Sequence, residues 1–339
     1  MSKPKILYLP TKSHTEKVFK SEVFERFLRN FDVTLNETGS NYTSERVASQ
    51  IQGFDGLVTG WGTPRLTVEV LENADKLRII AHSAGSVKGM LSDVVEKYLI
   101  PRNICVFSAN GAIACNVAEH TIGALIMTAR RFVDHAIAIR EEGVWKDRDI
   151  PGNGQFLRGS VVGIVSASKV GREVIRLLQP FDVKILIYDP YLSDWETGRL
   201  NVEKVELDDL FARADFVTVH APSIPETWGM IGEKQLKLMN DGAVLVNTSR
   251  GRVIDHQALF TEAQTGRILV TLDVTDPEPL PADSPLRRLP NVYITPHISG
   301  AGYYGYFKIG STTVEALENF FAGKPVIGAV DLDKFAQLA

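Results

Sequence analysis

The sequence predicts two α/β domains, each built on a parallel sheet, with a cleft between them. Apolar runs of strand length recur between helical stretches, at Lys5–Leu9, Gly56–Val58, Arg78–Ala81, Val161–Val165, Lys184–Tyr188, Phe216–His220, Ala243–Val246 and Leu269–Leu272. Strands alternating with helices imply a parallel sheet with crossovers. The runs form two groups, one before about Gly111 and one after about Gly159, separated by a long helical stretch from Asn116 to Arg140. A chain of 339 residues with 44% hydrophobic content can give each group its own buried core.

Charge and composition narrow the partners. A formal net charge of -4 with no Lys/Arg-rich block provides no basic field for nucleic acid or an anionic membrane. A small-molecule partner is therefore expected. The first ten residues, MSKPKILYLP, hold one short apolar run that reads as a first strand, without the longer hydrophobic region and cleavage site of a signal peptide. The longest apolar helix, around Thr121–Met127, is expected to be too short to span a bilayer. Two cysteines, Cys105 and Cys115, are too isolated for a disulfide framework or a metal site, so no metal and a reduced, cytoplasmic setting are expected. No internal repeat or low-complexity segment interrupts this pattern.

The segment from Val161 to Asp189 reads strand, turn, helix, strand, acid: VVGIV, SASKVG, REVIRLLQPF, DVKILIY and then Asp189. That is a nucleotide-binding βαβ unit of Rossmann-like type. The first two glycines of such a turn allow a tight bend and close approach to a pyrophosphate, and the third lets helix and strand pack closely. Here those positions are Ser166, Ser168 and Gly171. Backbone N–H groups at the helix start, around Lys169 and Val170, can still hold the anion, and a serine hydroxyl can donate to phosphate. A Cβ at Ser168 is expected to crowd the pyrophosphate. Asp189 would accept hydrogen bonds from ribose hydroxyls and repel a 2′-phosphate, which favours NAD(H) over NADP(H). The plainer readings are an abandoned nucleotide fold and, for Asp189, a turn residue before Pro190.

Three further segments carry chemistry: LVNTSRG at Leu245–Gly251, DPEP at Asp276–Pro279 and TPHI at Thr295–Ile298. Each follows an apolar strand, and strand exits are where α/β sheets place their chemistry. Arg250 offers a planar fork for a carboxylate and its 2-oxygen. His297 can trade a proton near neutral pH. A carboxylate, Glu278 or Asp276, would orient the imidazole and favour its charged form. Together they suit oxidation or reduction of a 2-hydroxy or 2-keto acid. The alternatives are a surface salt bridge for Arg250 and a structural role for His297; Arg252, His14, His135 and His256 sit in settings that suggest solvent.

These blocks resemble those of the D-isomer-specific 2-hydroxyacid dehydrogenase family, and the resemblance covers nearly the whole chain. It implies a substrate-binding domain over residues 1–112, completed by residues 302–339 after a C-terminal helix at Ser311–Ala322, and an NAD-binding Rossmann domain over 113–301; the first sheet is Rossmann-like or flavodoxin-like. It selects Glu278 over Asp276 as the partner of His297. It also implies cofactor contacts from His220, Pro222 and Thr227 in VHAPSIPET, from Thr248 and Ser249 beside Arg250, from Asp273, which would hold the nicotinamide carboxamide, and from Gly300. The loop AHSAGSVK at Ala81–Lys88 matches the family's substrate loop, so Ala84, Gly85 and Ser86 would bind the substrate carboxylate; Trp61, in a bend after a strand, and Tyr303, Tyr304 and Tyr306, just past His297, either wall the cleft and meet substrate or pack in a core or an interface. Lys88 replaces the acid usual there, either to favour a dianionic substrate or to face solvent. The helix Asn116–Arg131 resembles the element that forms a two-fold homodimer in the family. A rival reading is an NAD(H)-sensing binding protein with reduced catalysis; formate oxidation would require glutamine in place of Glu278.

Overall fold

The computed structural model describes residues 3–145, 150 and 154–337. Positions 146–149 and 151–153 of the expected second domain, and 338–339 at the end of the expected first, lie outside the described residues. The chain divides into two compact units, Met1–Asn116 with Ala301–Ala339, and Val117–Gly300.

Unit 1 holds a five-stranded parallel sheet of β1 (Lys5–Tyr8), β2 (Asp32–Leu35), β3 (Gly56–Thr59), β4 (Ile79–His82) and β5 (Cys105–Ser108), in spatial order β2-β1-β3-β4-β5. Its central strands are apolar throughout because helices cover both faces. One apolar cluster gathers Leu7, Leu57 and Ile80, and the other Ile6, Val58 and Ile79, so alternate residues of the same strands serve opposite faces. The C-terminal helix Tyr303–Phe321 belongs to this unit and begins eight residues earlier than the apolar pattern suggests. It crosses the end of the helix Lys12–Val18 so closely that a Cβ on Gly310 would lie 2.3 Å from the carbonyl of Val18.

Unit 2 holds seven parallel strands: β6 (Val161–Val165), β7 (Lys184–Tyr188), β8 (Glu203–Lys204), β9 (Phe216–Val219), β10 (Val244–Asn247), β11 (Leu269–Leu272) and β12 (Val292–Ile294). Their order, β12-β11-β10-β9-β6-β7-β8, reverses direction between β6 and β9. That reversal makes the exits of β6 and β9 a ligand crevice in open parallel sheets. Four strands escape the sequence pattern. β2 and β8 are edge strands with charged residues and only partial burial, β12 is three residues long, and β5 begins at a half-buried cysteine.

The expected helix over Asn116–Arg140 is two helices. The first runs Asn110–Ala129, and the chain then turns at Arg131, whose φ of 49° is left-handed, before the helix Phe132–Ile137. At 20 residues the first is long and apolar enough to cross a bilayer by length and composition, contrary to the expectation from Thr121–Met127. Half of its apolar window is nevertheless buried in the fold, and Ala118, Leu125 and Ala129 share a cluster with Val162 and Ile164 of β6. Its hydrophobicity is that of a core helix.

Phe211 is fully buried beneath β6 and β9 among Leu186, Leu210 and Val217. Phe211→Ala should destabilise the protein by about 3–5 kcal/mol, as large core truncations do. Denaturant unfolding checks this, and a loss below about 1 kcal/mol would mean that the cluster closes over the cavity.

Candidate active site

The exit of β10 is shaped by its last residue. The Asn247 side chain accepts from the backbone N–H of Ser249 (3.0 Å) and from the Ser249 hydroxyl (2.8 Å), and its amide donates to the carbonyl of Arg250 (3.0 Å). Thr248 is buried and its hydroxyl meets that of Thr121 at 2.9 Å. Gly251 follows because nothing larger fits: a Cβ there would lie 2.1 Å from the carbonyl carbon and oxygen of Thr275. The NTSRG run is thus a clamped turn pressed against the loop that carries Glu278. Arg250 extends an exposed side chain from it, with Nη1 donating to the Ser249 carbonyl at 2.7 Å. Burial around its stem draws its pKa down, and the Glu278 carboxylate opposes this. The guanidinium remains charged.

Glu278 Oε1 lies 2.5 Å from His297 Nδ1. An ionised carboxylate only accepts, so Nδ1 carries the proton and Nε2 is left for exchange. Asp276 takes no part in this pair; it meets Arg252 Nε at 3.4 Å, which also places Arg252 in an ion pair rather than in solvent alone. His297 has a φ of 52°, the left-handed region that is uncommon for any residue but glycine. The buried carboxylate of Asp273 maintains that turn: Oδ1 accepts from Thr295 Oγ1 (2.6 Å) and from the N–H of Ile298 (2.9 Å), Oδ2 from the N–H of Ser299 (2.8 Å), while the Asp273 carbonyl accepts from the N–H of His297 (2.9 Å). Asp273 was expected to hold a carboxamide. Its bonds within the protein make it the tie that orients His297.

The exit of β6 accommodates its serines differently from expectation. Ser168 has an ordinary φ of -59° and caps the helix Lys169–Leu178, accepting from the N–H of Gly171 at 3.3 Å. Ser166 carries the strain, with a φ of 81°. Asp189, at the end of β7, accepts from the Ser166 hydroxyl (3.2 Å) and the N–H of Ala167 (2.8 Å) through Oδ2, and from the N–H of Tyr191 (2.9 Å) through Oδ1. Gly171 is the position that excludes a side chain, since a Cβ would lie 2.1 Å from the carbonyl of Ser166. The N–H groups of Lys169 and Val170 donate to no acceptor among the described residues, which leaves the helix start open to an anion. The helix begins at Lys169, with Ser168 as its cap.

At the exit of β9, His220 is buried, its Nε2 meets Thr218 Oγ1 at 3.0 Å and its Nδ1 has no partner. Burial lowers its pKa to about 3, so it is neutral and acts by hydrogen bonding. Thr227 accepts from the N–H of Ile224 (3.1 Å) and donates to the carbonyl of Pro222 (2.5 Å), closing the loop beyond it. These features fit a dinucleotide: a helix start with unpaired amides, an acid at the second strand, and an orphaned buried polar atom on the neighbouring exit.

In unit 1, the loop Ala84–Ser86 follows β4, and Ala84 and Gly85 have amide hydrogens that meet no acceptor among the described residues. Trp61 follows β3 and is 40% exposed, in edge contact with His14 and Tyr306; Tyr303 and Tyr304 are more open. The Lys88 ammonium donates to the carbonyl of Ala336 at 2.8 Å. A cavity of about 530 Å³ lined by Lys3, Lys5, Asp32, Asp55 and Lys76 lies at the opposite, N-terminal edge of this sheet and contains none of these groups. Among the described residues no three His, Cys, Asp or Glu gather as a metal site.

Sequence reasoning overlooked two histidines. His256 is half-buried: Nδ1 bonds the Ile254 carbonyl (3.1 Å), so Nε2 accepts from the N–H of Asp276 (3.2 Å), which ties the Glu278 loop to β10. His14 is buried and bonds Ser83 at 3.0 Å. Both stand in polar sequence whose partners are distant in the chain, and no local signal marks them.

Residues 122–299 match the NAD binding domain of the D-isomer specific 2-hydroxyacid dehydrogenases. A glyoxylate reductase of Korarchaeum cryptofilum is 34% identical over 87% of this chain and 88% of its own. A D-3-phosphoglycerate dehydrogenase of Archaeoglobus fulgidus is 31% identical over 87% of this chain, and that match spans only 55% of the relative, so the chain covers about half the length of such enzymes. A crystal structure of a protein from Thermus thermophilus superposes with a TM-score of 0.76 at 27% identity, covering 96% of this chain and 99% of that one. The chain belongs to the D-isomer-specific 2-hydroxyacid dehydrogenase family.

Ser166→Gly should relieve the left-handed strain and tighten NADH binding, whereas Ser168→Gly, which loses only a cap worth a few tenths of a kcal/mol against glycine, should change it little. Calorimetric titration compares them. A larger gain at Ser168 would place the crowding where the sequence alone suggested it.

Proposed function

We propose that this protein is an NAD(H)-dependent oxidoreductase that interconverts a small 2-keto acid and the corresponding D-2-hydroxy acid. The observation that carries the reading is the Glu278–His297 pair at 2.5 Å beside Arg250 on neighbouring strand exits of the nucleotide-binding unit. Bound NADH would supply hydride to carbon 2. Arg250 forks onto the carboxylate and polarises the 2-carbonyl. His297, protonated on both nitrogens, gives its Nε2 proton to the carbonyl oxygen as hydride arrives, and Glu278 stabilises and orients the imidazolium. One hydride and one proton convert the ketone to the alcohol.

Lys169, Val170 and Gly171 serve the pyrophosphate in this reading, with Ser166 and Ser168 shaping their turn. Asp189 serves the ribose and selects NAD over NADP through its negative charge. His220, Pro222, Thr227, Thr248, Ser249, Asp273 and Gly300 line or support the cofactor site, and Ala84, Gly85, Ser86 and Trp61 bind substrate. A two-fold homodimer through the NAD-binding domain is supported by apolar side chains left open beside the helix Asn110–Ala129, among them Ile126, Phe132 and Ile139. A reducing, cytoplasmic location is proposed with it, on the sequence isolation of the two cysteines, Cys105 and Cys115.

The test is loss of nicotinamide absorbance with a panel of 2-keto acids. His297→Ala should lower turnover by about 10²- to 10⁴-fold with NADH affinity nearly intact, because the proton donor is lost and the cofactor pocket is not. Unchanged turnover would remove His297 from the reaction. Arg250→Lys should raise KM and slow hydride transfer, since an ammonium lacks the planar fork; kinetics equal to wild type would place Arg250 outside the site.

A further inference from the structure

The strand order of unit 1, β2-β1-β3-β4-β5, reverses between β1 and β3, so its own crevice opens where those strands end. The helix Lys12–Val18 leaves β1 there and carries His14 and Lys17, three residues apart and hence on one face. Gly60 and Trp61 leave β3 beside them, and the Ala84–Gly85 amides lie one strand further on.

Hydrogen bonding holds this crevice in one arrangement. The Ser83 hydroxyl donates to the carbonyl of Thr59 (2.7 Å), so at the 3.0 Å contact with His14 it must accept, and His14 Nε2 carries the proton. His14 Nδ1 is a buried acceptor without a partner. Burial lowers the pKa of His14 to about 4, so the ring is neutral. Gly60 makes room for it, since a Cβ would lie 2.6 Å from the ring. Trp61 meets His14 edge-on at 5.1 Å and Tyr306 at 5.7 Å. Over these rings sits the Lys17 ammonium, 5.0 Å from the Trp61 centroid and 4.6 Å from that of Tyr306. Lys17 pairs with no carboxylate among the described residues; the adjacent Glu16 lies 3.8 Å from Lys12 instead. An exposed ammonium held over two aromatic rings is positioned without being neutralised.

We propose that this crevice is a specificity subsite in which Lys17, positioned by Trp61 and Tyr306, binds a second anionic group at the far end of the substrate, a carboxylate or a phosphate, while the Ala84–Gly85 amides hold the 2-keto acid end. The inference rests on the keto-acid reading above and narrows its substrate class to acids with a charged tail. Glyoxylate, which has no tail, lacks this contact.

The test is the ratio of kcat/KM, with NADH, for tailed acids over glyoxylate, using 2-ketoglutarate for the carboxylate and phosphohydroxypyruvate for the phosphate. In the wild type at least one ratio should exceed about tenfold, a hydrogen bond between charged groups being worth about that much. Lys17→Met keeps the stem on the rings and should lower the ratio about 10- to 100-fold through KM. Lys17→Arg should restore most of it, and Lys12→Met should leave it unchanged. Whichever acid responds identifies the tail. A wild-type preference for glyoxylate, or a ratio that Lys17→Met does not move, overturns the subsite and leaves the dehydrogenase reading standing. NADH oxidation with none of the acids overturns both.

Discussion

At Gly251 two strand exits approach so closely that no side-chain carbon fits between them. The rest of the candidate site follows from that contact. It presses the turn after β10 against the loop after β11, so Arg250 on one and Glu278 on the other share a charge environment. Asn247 stiffens the first side through bonds to Ser249 and Arg250, and His256 reaches across to the Asp276 amide on the second. Glycine is therefore required by contact rather than by backbone conformation, a distinction the sequence does not display.

The imidazole is held by a parallel device. Asp273 ends β11 and gathers three donors from the turn after β12, keeping His297 in a left-handed conformation that it would otherwise avoid. Two neighbouring strands thus present the carboxylate and the imidazole of the pair proposed for proton transfer, each fixed by side chains that do not themselves touch that pair. Rigid sheets with short clamped exits give such positioning more accurately than long loops.

Much of this was legible in the chain. The central strands showed themselves as apolar runs because both faces of a parallel sheet are buried, whereas the residues alone left Glu278 and Asp276 open as the partner of His297 and only the family resemblance chose between them. Edge strands such as β2 were hidden because their burial is partial. The long helical stretch was misjudged since nothing local announces the left-handed Arg131, and burial of apolar residues from Asn110 onward extends the first helix. The sequence motif drew attention to crowding by the Ser168 side chain, and nothing in it announces the left-handed backbone that the folded turn imposes on Ser166. His14 and His256 were invisible because their partners, Ser83 and Asp276, are distant in sequence.

Asp189 does more than mark the end of β7. Its two oxygens bind the Ser166 hydroxyl and the amides of Ala167 and Tyr191, which makes it a keystone of the turn after β6. In the proposed function the choice between dinucleotides and the shape of the loop that would cradle them therefore fall to one carboxylate. Redesign of cofactor preference in this fold cannot proceed by neutralising that acid alone: removing it would strand two amide hydrogens and release a strained serine, so the loop has to be rebuilt around any new 2′-phosphate pocket.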